Sequence, residues 1–247
     1  MAPDHPGDLV EPTSVTIERR DHLRRRDPDP ARVPLDRLDI TGLTSTFADT
    51  GGGVRNLDLS IPGRSFIVVT GEVGAGKSTL LRALAGLEPL DAGSISWNGR
   101  AIDDVAAWMV PPQAAYLPQI PRLFSESIAE NVRLGRDDHD LDHVLELTTL
   151  ARDLADMPER IDTRVGARGL RLSGGQAQRV ATARSLLTEP ELLLIDDVSS
   201  ALDVATELEL WTSLRAQGRS TIVAVSHRQL AFDLADEVIT LRDGRIV

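Results

Sequence analysis

Gly71-Glu72-Val73-Gly74-Ala75-Gly76-Lys77-Ser78 is the stretch on which the fold turns. Its spacing is that of a phosphate-cradling loop: glycine, four residues, glycine, lysine, hydroxyl. The apolar run Phe66-Ile67-Val68-Val69-Thr70 precedes it and helix-forming Thr79-Leu80-Leu81-Arg82-Ala83-Leu84 follows. Strand, glycine loop and helix in that order let backbone N–H groups wrap an anion, while the helix N-terminus adds positive potential. In such a loop Gly71, Glu72, Val73, Gly74, Ala75, Gly76 and Thr79 surround the phosphates, Lys77 reaches their oxygens, and Ser78 can ligate Mg2+ through its hydroxyl. Lys77 is the only lysine in the chain; every other basic side chain besides histidine is arginine.

Downstream, Leu192-Leu193-Leu194-Ile195-Asp196-Asp197 is an apolar run ending in two carboxylates. On a buried strand of a parallel sheet it would set Asp196 at the exposed C-terminal end, near the loop, where it can hold Mg2+ through water. Taken alone the run reads equally as a core strand capped by solvated acids, and only the glycine loop upstream favours the metal. Further apolar runs at 221–226 and 237–241 alternate with helical patterns at 77–85, 141–154, 175–187, 205–215 and 228–234. Such alternation predicts an α/β fold around a mostly parallel, helix-covered sheet. Short β-like runs at 35–43 and 54–61 add a different texture, as does Asn98-Gly99 between Ile95-Ser96-Trp97 and Arg100-Ala101-Ile102. Asn-Gly predicts a two-residue hairpin, since both residues tolerate positive φ, and these pieces together predict an antiparallel β subdomain beside the core.

Residues 1–34 are rich in Pro, Asp and Arg, with little apolar periodicity. They are expected to form a disordered tail or linker, leaving 35–247 as one folded unit. At 247 residues the chain can bury one core, or a core plus a smaller lobe. A net charge of −11 supplies no basic stripe, which argues against nucleic acid as a partner and against independent adhesion to an anionic membrane. No apolar run exceeds six residues, far below the roughly 20 needed to span a bilayer, so a membrane role would come through a partner. Cysteine is absent, which excludes disulfides and thiolate metal sites, and no basic stretch followed by an apolar one opens the chain to mark it for secretion.

Leu172-Ser173-Gly174-Gly175-Gln176 stands just before the helical stretch at 177–187. A serine, two glycines and a helix N-terminus make a second anion site. With this motif lying between the glycine loop and Asp196, residues 36–247 resemble the nucleotide-binding domain of ATP-binding-cassette (ABC) transporters. The resemblance implies a P-loop NTPase core and an α-helical subdomain, about 120–188 here, that carries the signature. It implies ATP and Mg2+ as ligands, and two such domains closing head to tail, so that Ser173, Gly174, Gly175 and Gln176 hold the γ-phosphate of ATP on the second domain. Gln119, in Tyr116-Leu117-Pro118-Gln119, resembles the glutamine that contacts Mg2+ and relays nucleotide state to membrane domains. Asp203, in Ser200-Ala201-Leu202-Asp203, resembles the acid of the loop crossing the dimer interface, and His227 the switch histidine that contacts the γ-phosphate. Read without the resemblance, Gln119 is an exposed loop residue, Asp203 a helix cap and His227 a surface residue at a strand end. Phe47 stands where the family usually has a tyrosine that stacks on adenine, and a place in the core would suit it equally.

Two stretches resemble exporters in particular: residues 123–132 after Gln119, and Thr163-Arg164-Val165-Gly166-Ala167-Arg168-Gly169 before the signature, where Ala167 replaces the usual glutamate. Asp197 stands where active members carry the glutamate that polarises the attacking water. One methylene less withdraws the carboxylate by about 1.5 Å, and a displacement near 1 Å can cost on the order of a hundredfold in rate. Slow hydrolysis at this chain's own P-loop is therefore expected, with ATP binding retained. An intact signature beside a weakened base suggests a heterodimer, with a homodimer of uniformly slow turnover as the alternative. The expected function is the ATPase motor of an exporter, at the cytoplasmic face of the membrane by way of a transmembrane domain, fused or separate. Its rivals are a soluble cassette ATPase and a regulatory ATP-binding module without turnover.

Overall fold

Three apolar runs, at 66–70, 192–195 and 221–225, are continuous and not alternating because both faces of the sheet they build are covered. A computed structural model of the chain describes residues 30–47, 49, 51–136, 140–166, 172–198 and 204–247. Its strands are β1 (Arg37–Thr46), β2 (Gly53–Pro62), β3 (Phe66–Gly71), β4 (Ala92–Trp97), β5 (Arg100–Ala101), β6 (Ala114–Leu117), β7 (Leu192–Asp196), β8 (Thr221–Val225), β9 (Glu237–Arg242) and β10 (Arg245–Ile246). Its helices are α1 (Lys77–Leu84), α2 (Val105–Trp108), α3 (Ile128–Arg133), α4 (Leu141–Leu147), α5 (Leu150–Ala155), α6 (Gly174–Leu186), α7 (Val204–Gln217) and α8 (Gln229–Leu234).

The larger sheet runs β10-β9-β3-β8-β7-β6, parallel from β9 to β6 with β10 antiparallel at one edge. Successive side chains on a strand point to opposite faces. Phe66, Val68, Leu193, Ile195, Ile222 and Ala224 accordingly pack against α3 to α8, with the Phe66 ring 5.2 Å from that of Trp211. Ile67, Val69, Leu192, Leu194, Val223 and Val225 pack the other way, against α1 and the smaller sheet. Each such side chain, fully buried, contributes about 1.5–3 kcal/mol, so the central strands cannot slip register without exposing both layers. The smaller sheet, β2-β1-β4-β5, is antiparallel throughout. It closes over Leu80, Leu81 and Leu84 of α1, leaving that helix between two sheets.

The Asn98-Gly99 hairpin is present, with φ of 53° and 78° and Trp97 paired to Arg100 across it. Other expectations need correction. The single helix read over 141–154 is two helices, because Thr149 takes a left-handed φ of 55° between α4 and α5. The buried Thr148 hydroxyl donates to Val144 O at 2.8 Å and helps end α4. Strand β6 and helices α2 and α3 were not foreseen, since four to six residues are too few to show a period. The caps of the two helices are local all the same: Asp104 accepts from Ala107 N at the start of α2, and Ser127 and Glu130 cap α3 reciprocally.

Order also begins ahead of residue 35. Ala31 O accepts from Gln113 Nε2 at 2.7 Å, Pro34 O accepts from Asn98 Nδ2 at 2.8 Å, and Leu35 N donates to Glu191 Oε2 at 3.0 Å. The rest of the expected tail, residues 1–29, lies outside the described residues. No described helix is long and apolar enough to cross a membrane.

Candidate functional site

The glycine loop leaves β3 at its C-terminal end and enters α1 through positive-φ glycines. Gly71 has φ 139°, and a Cβ there would stand 2.1 Å from Leu241 O on neighbouring β9. Gly76, with φ 99°, caps α1, and its Cβ would meet Gly53 O at 2.7 Å. No side chain reaches the cap, so the first-turn N–H groups of α1 have no intrahelical acceptor and face outward as an anion cradle. Glu72, Val73 and Gly74 form the exposed rim, while Ala75 and Thr79 are buried beneath it.

Lys77 is 9% exposed. Its Nζ donates to Gly71 O and Glu72 O, each at 2.7 Å, bracing the loop from inside. Burial pulls its ammonium below the usual lysine range, and the nearby carboxylates of Asp197 and Asp196 pull it back up. A buried cation that ends on carbonyl oxygens among first-turn amides is chemically suited to a phosphate.

Asp196 ends β7 and is 2% exposed, yet both of its oxygens are bonded. Oδ1 accepts from the Ser78 hydroxyl at 2.9 Å and Oδ2 from the Tyr116 hydroxyl at 3.0 Å. Ser78 and Asp196 thus bring two hard oxygen donors to the loop, the donor chemistry that suits Mg2+. Burial pushes the Tyr116 phenol up to about 12, so it is protonated and donates at neutral pH. The Tyr116 phenol raises the nearby Arg82 guanidinium of α1 above the usual arginine range.

Asp197 leaves the strand with φ 47°, and its Oδ2 accepts from Gln119 Nε2 at 3.1 Å. The two residues, 78 apart in sequence, meet because β6 and β7 are parallel neighbours that end together. His227 is exposed two residues beyond β8, which lies between β3 and β7, so it emerges at the same sheet edge. Phe47 directly follows β1, 37% exposed, and its backbone closes a turn with Gly51 and Gly52 just before Gly53, the residue that abuts Gly76.

Ser173 and Gln176 stand apart, at the exposed start of α6 in the helical layer. Ser173 Oγ accepts from Gln176 N at 3.2 Å and Gln176 Oε1 accepts from Ser173 N at 3.0 Å. Gly174 has open space around it, and Gly175 follows on the first turn. Among the described residues no hydrogen bond joins this turn to the glycine loop. Asp203 and Ala167 lie outside the described residues. The two exporter-like stretches are stitched together: Ile128 N donates to Thr163 O at 3.0 Å and Val165 N to Glu126 O at 2.9 Å. Sequence reasoning missed Tyr116 and Arg82 as parts of the site, because their meeting with Asp196 depends on which strand lies beside β7.

The family model described as ABC transporter matches residues 54–200. The chain belongs to the ABC transporter family. This nucleotide-binding domain is 29% identical over 237 residues to a putative export ATP-binding/permease protein of Rickettsia typhi, covering 94% of this chain and 41% of that one. It is 34% identical over 197 residues to an uncharacterized ABC transporter ATP-binding protein of Bacillus subtilis, covering 78% and 34%. With ATP-binding cassette sub-family B member 6 of Mus musculus it shares 32% over 223 residues, covering 88% and 26%. Among solved structures it superposes on a bacterial Atm1-family ABC exporter with ATP bound at a TM-score of 0.80 and 30% identity, covering 90% of this chain and 40% of that one. The ABC domain thus spans about two fifths or less of these relatives. Its core is that of a P-loop NTPase, and its type is that of exporters.

Proposed function

We propose that this domain binds ATP with Mg2+ and drives transport across a membrane by closing head to tail on a second nucleotide-binding domain. The observation that carries this reading is the pairing of the glycine loop, braced by Lys77, with Ser78 and Asp196 in direct contact at its edge. Lys77 and the first-turn amides would neutralise phosphate charge, and phosphoryl transfer needs positioning and charge neutralisation more than covalent help. Bound Mg2+, held by Ser78 and Asp196 with Gln119 at the margin, would supply charge compensation across the phosphates. Phe47 would lie against the base, and His227 would approach the terminal phosphate from the end of β8.

The exposed Ser173 turn, its hydroxyl engaged in the cap of α6, suits a phosphate presented by another domain. Asp203 would belong to the same interface. Gln119, exposed and bonded to Asp197, would carry the state of the site toward a transmembrane domain, fused or separate, at the cytoplasmic face of the membrane. Nucleotide bound only in the closed pair stabilises closure by mass action, and product release reopens it.

Asp197 would hold water as a base too short for the task, and its carboxylate is already engaged by Gln119. Slow turnover at this P-loop and a heterodimer with a competent partner site follow from that. The reading is tested by isothermal titration of Mg-ATP into the wild-type chain and Lys77→Ala. Binding to wild type and at least tenfold weaker binding to the variant are expected; equal affinities would remove the basis for the assignment.

A further inference from the structure

Asp196 has a second anchor that the established motifs of the site do not include. Tyr116 and Leu194 are register partners on β6 and β7, so Tyr116 lies on the face toward α1 and one diagonal step from Asp196. That geometry brings the phenol hydroxyl to Oδ2 at 3.0 Å, while Ser78 holds Oδ1 at 2.9 Å. Arg82, one turn beyond Ser78 on α1, interacts electrostatically with the Tyr116 phenol and has Glu88 at 3.8 Å. The carboxylate is therefore clamped between one group of α1, Ser78, and one of the edge strand, Tyr116. A carboxylate with one oxygen free can rotate about its last bond; with both oxygens held it cannot.

We propose that Tyr116, backed by Arg82, is a positioning residue that fixes the Asp196 carboxylate for the divalent cation of this site. The inference rests on the reading of the site as one for Mg2+ and nucleotide. On this reading Tyr116 acts through Asp196, to which its hydroxyl is bonded, and not directly on nucleotide or metal. Because it lies three residues before Gln119 on the same strand and loop, a shift of that loop toward or away from β7 would reach Asp196 through the phenol. Partners that orient metal-binding side chains typically matter by 10–100-fold in metal affinity.

The test measures ATP binding to the full chain by titration calorimetry, once with excess Mg2+ and once with EDTA. The ratio of the two dissociation constants reports the metal alone. Tyr116→Phe keeps the ring and removes only the hydroxyl; it is expected to shrink the ratio by about tenfold while the EDTA value stays within twofold of wild type. Arg82→Gln, leaving the phenol without its backing, is expected to shrink the ratio less, by about threefold. A ratio unchanged in Tyr116→Phe would overturn the inference, as would an equal loss with and without metal, which marks a purely structural role. Wild type failing to bind at all would instead overturn the nucleotide reading itself. A melting temperature for each variant within a few degrees of wild type shows that the fold is retained; a Tyr116→Phe chain that melts far lower would also count against a role confined to the metal.

Discussion

At the scale of single residues, the site is decided by what cannot be otherwise. A side chain at Gly71 would collide with the backbone of β9, and one at Gly76 with that of the β2 entrance. Lys77 is buried because its ammonium finds two carbonyl oxygens and two nearby carboxylates. Asp197 is where residue chemistry and inferred activity part company. Replacing it by glutamate extends the carboxylate by about 1.5 Å, and Asp197→Glu is expected to raise the ATPase rate of the assembled transporter on the order of a hundredfold at this site. Phosphate release measured for both proteins at saturating Mg-ATP checks it, and equal rates would show that the shorter base is no handicap.

At the scale of elements, the parallel order β3-β8-β7-β6 brings four strand ends to one edge, and the P-loop, Asp196, Gln119 and His227 emerge there. Asp236 secures that sheet from the opposite ends. It accepts from Arg215 of α7 at 2.8 and 2.5 Å and from Phe66 N of β3 at 2.8 Å. These bonds, with the Arg215 guanidinium foremost, hold its carboxyl at about 2. A depressed carboxylate contributes stability above its unfolded pKa of about 4, and that contribution is lost as pH falls from about 4 toward 2. Because the pair is about two fifths exposed, solvent screening limits it to about 1 kcal/mol. Asp236→Asn should therefore melt below wild type at pH 6 and by a smaller margin at pH 2.5, the gap closing only as the pH falls through about 2. Thermal unfolding at the two pH values checks this, and a constant gap would exclude the linkage.

At the scale of the whole molecule, the phosphate loop and the Ser173 turn occupy different layers, one on the sheet edge and one on the helical face. Neither completes the other within the chain as described, which is the physical reason to look for a second domain. If the partner domain supplies a competent base, mixing the two purified chains with Mg-ATP should raise ATPase activity well above the sum of the separate rates, by tenfold or more. No rise with any exporter-type partner encoded nearby would favour a homodimer.

The sequence by itself determined the glycine loop, the carboxylate-tipped strand, the signature turn and the α/β alternation. These are local: a short run of residues fixes each one's backbone conformation and chemistry. It also carried the Asn98-Gly99 hairpin, for the same reason. Only the tertiary structure decided that β6 lies beside β7, and hence that Tyr116 grips Asp196 and Gln119 meets Asp197. It alone showed the break at Thr149 and the docking of residues 31–34. Those contacts join residues far apart in the chain or depend on a buried neighbour, and no local pattern of hydrophobicity or charge encodes which strand will be next to which.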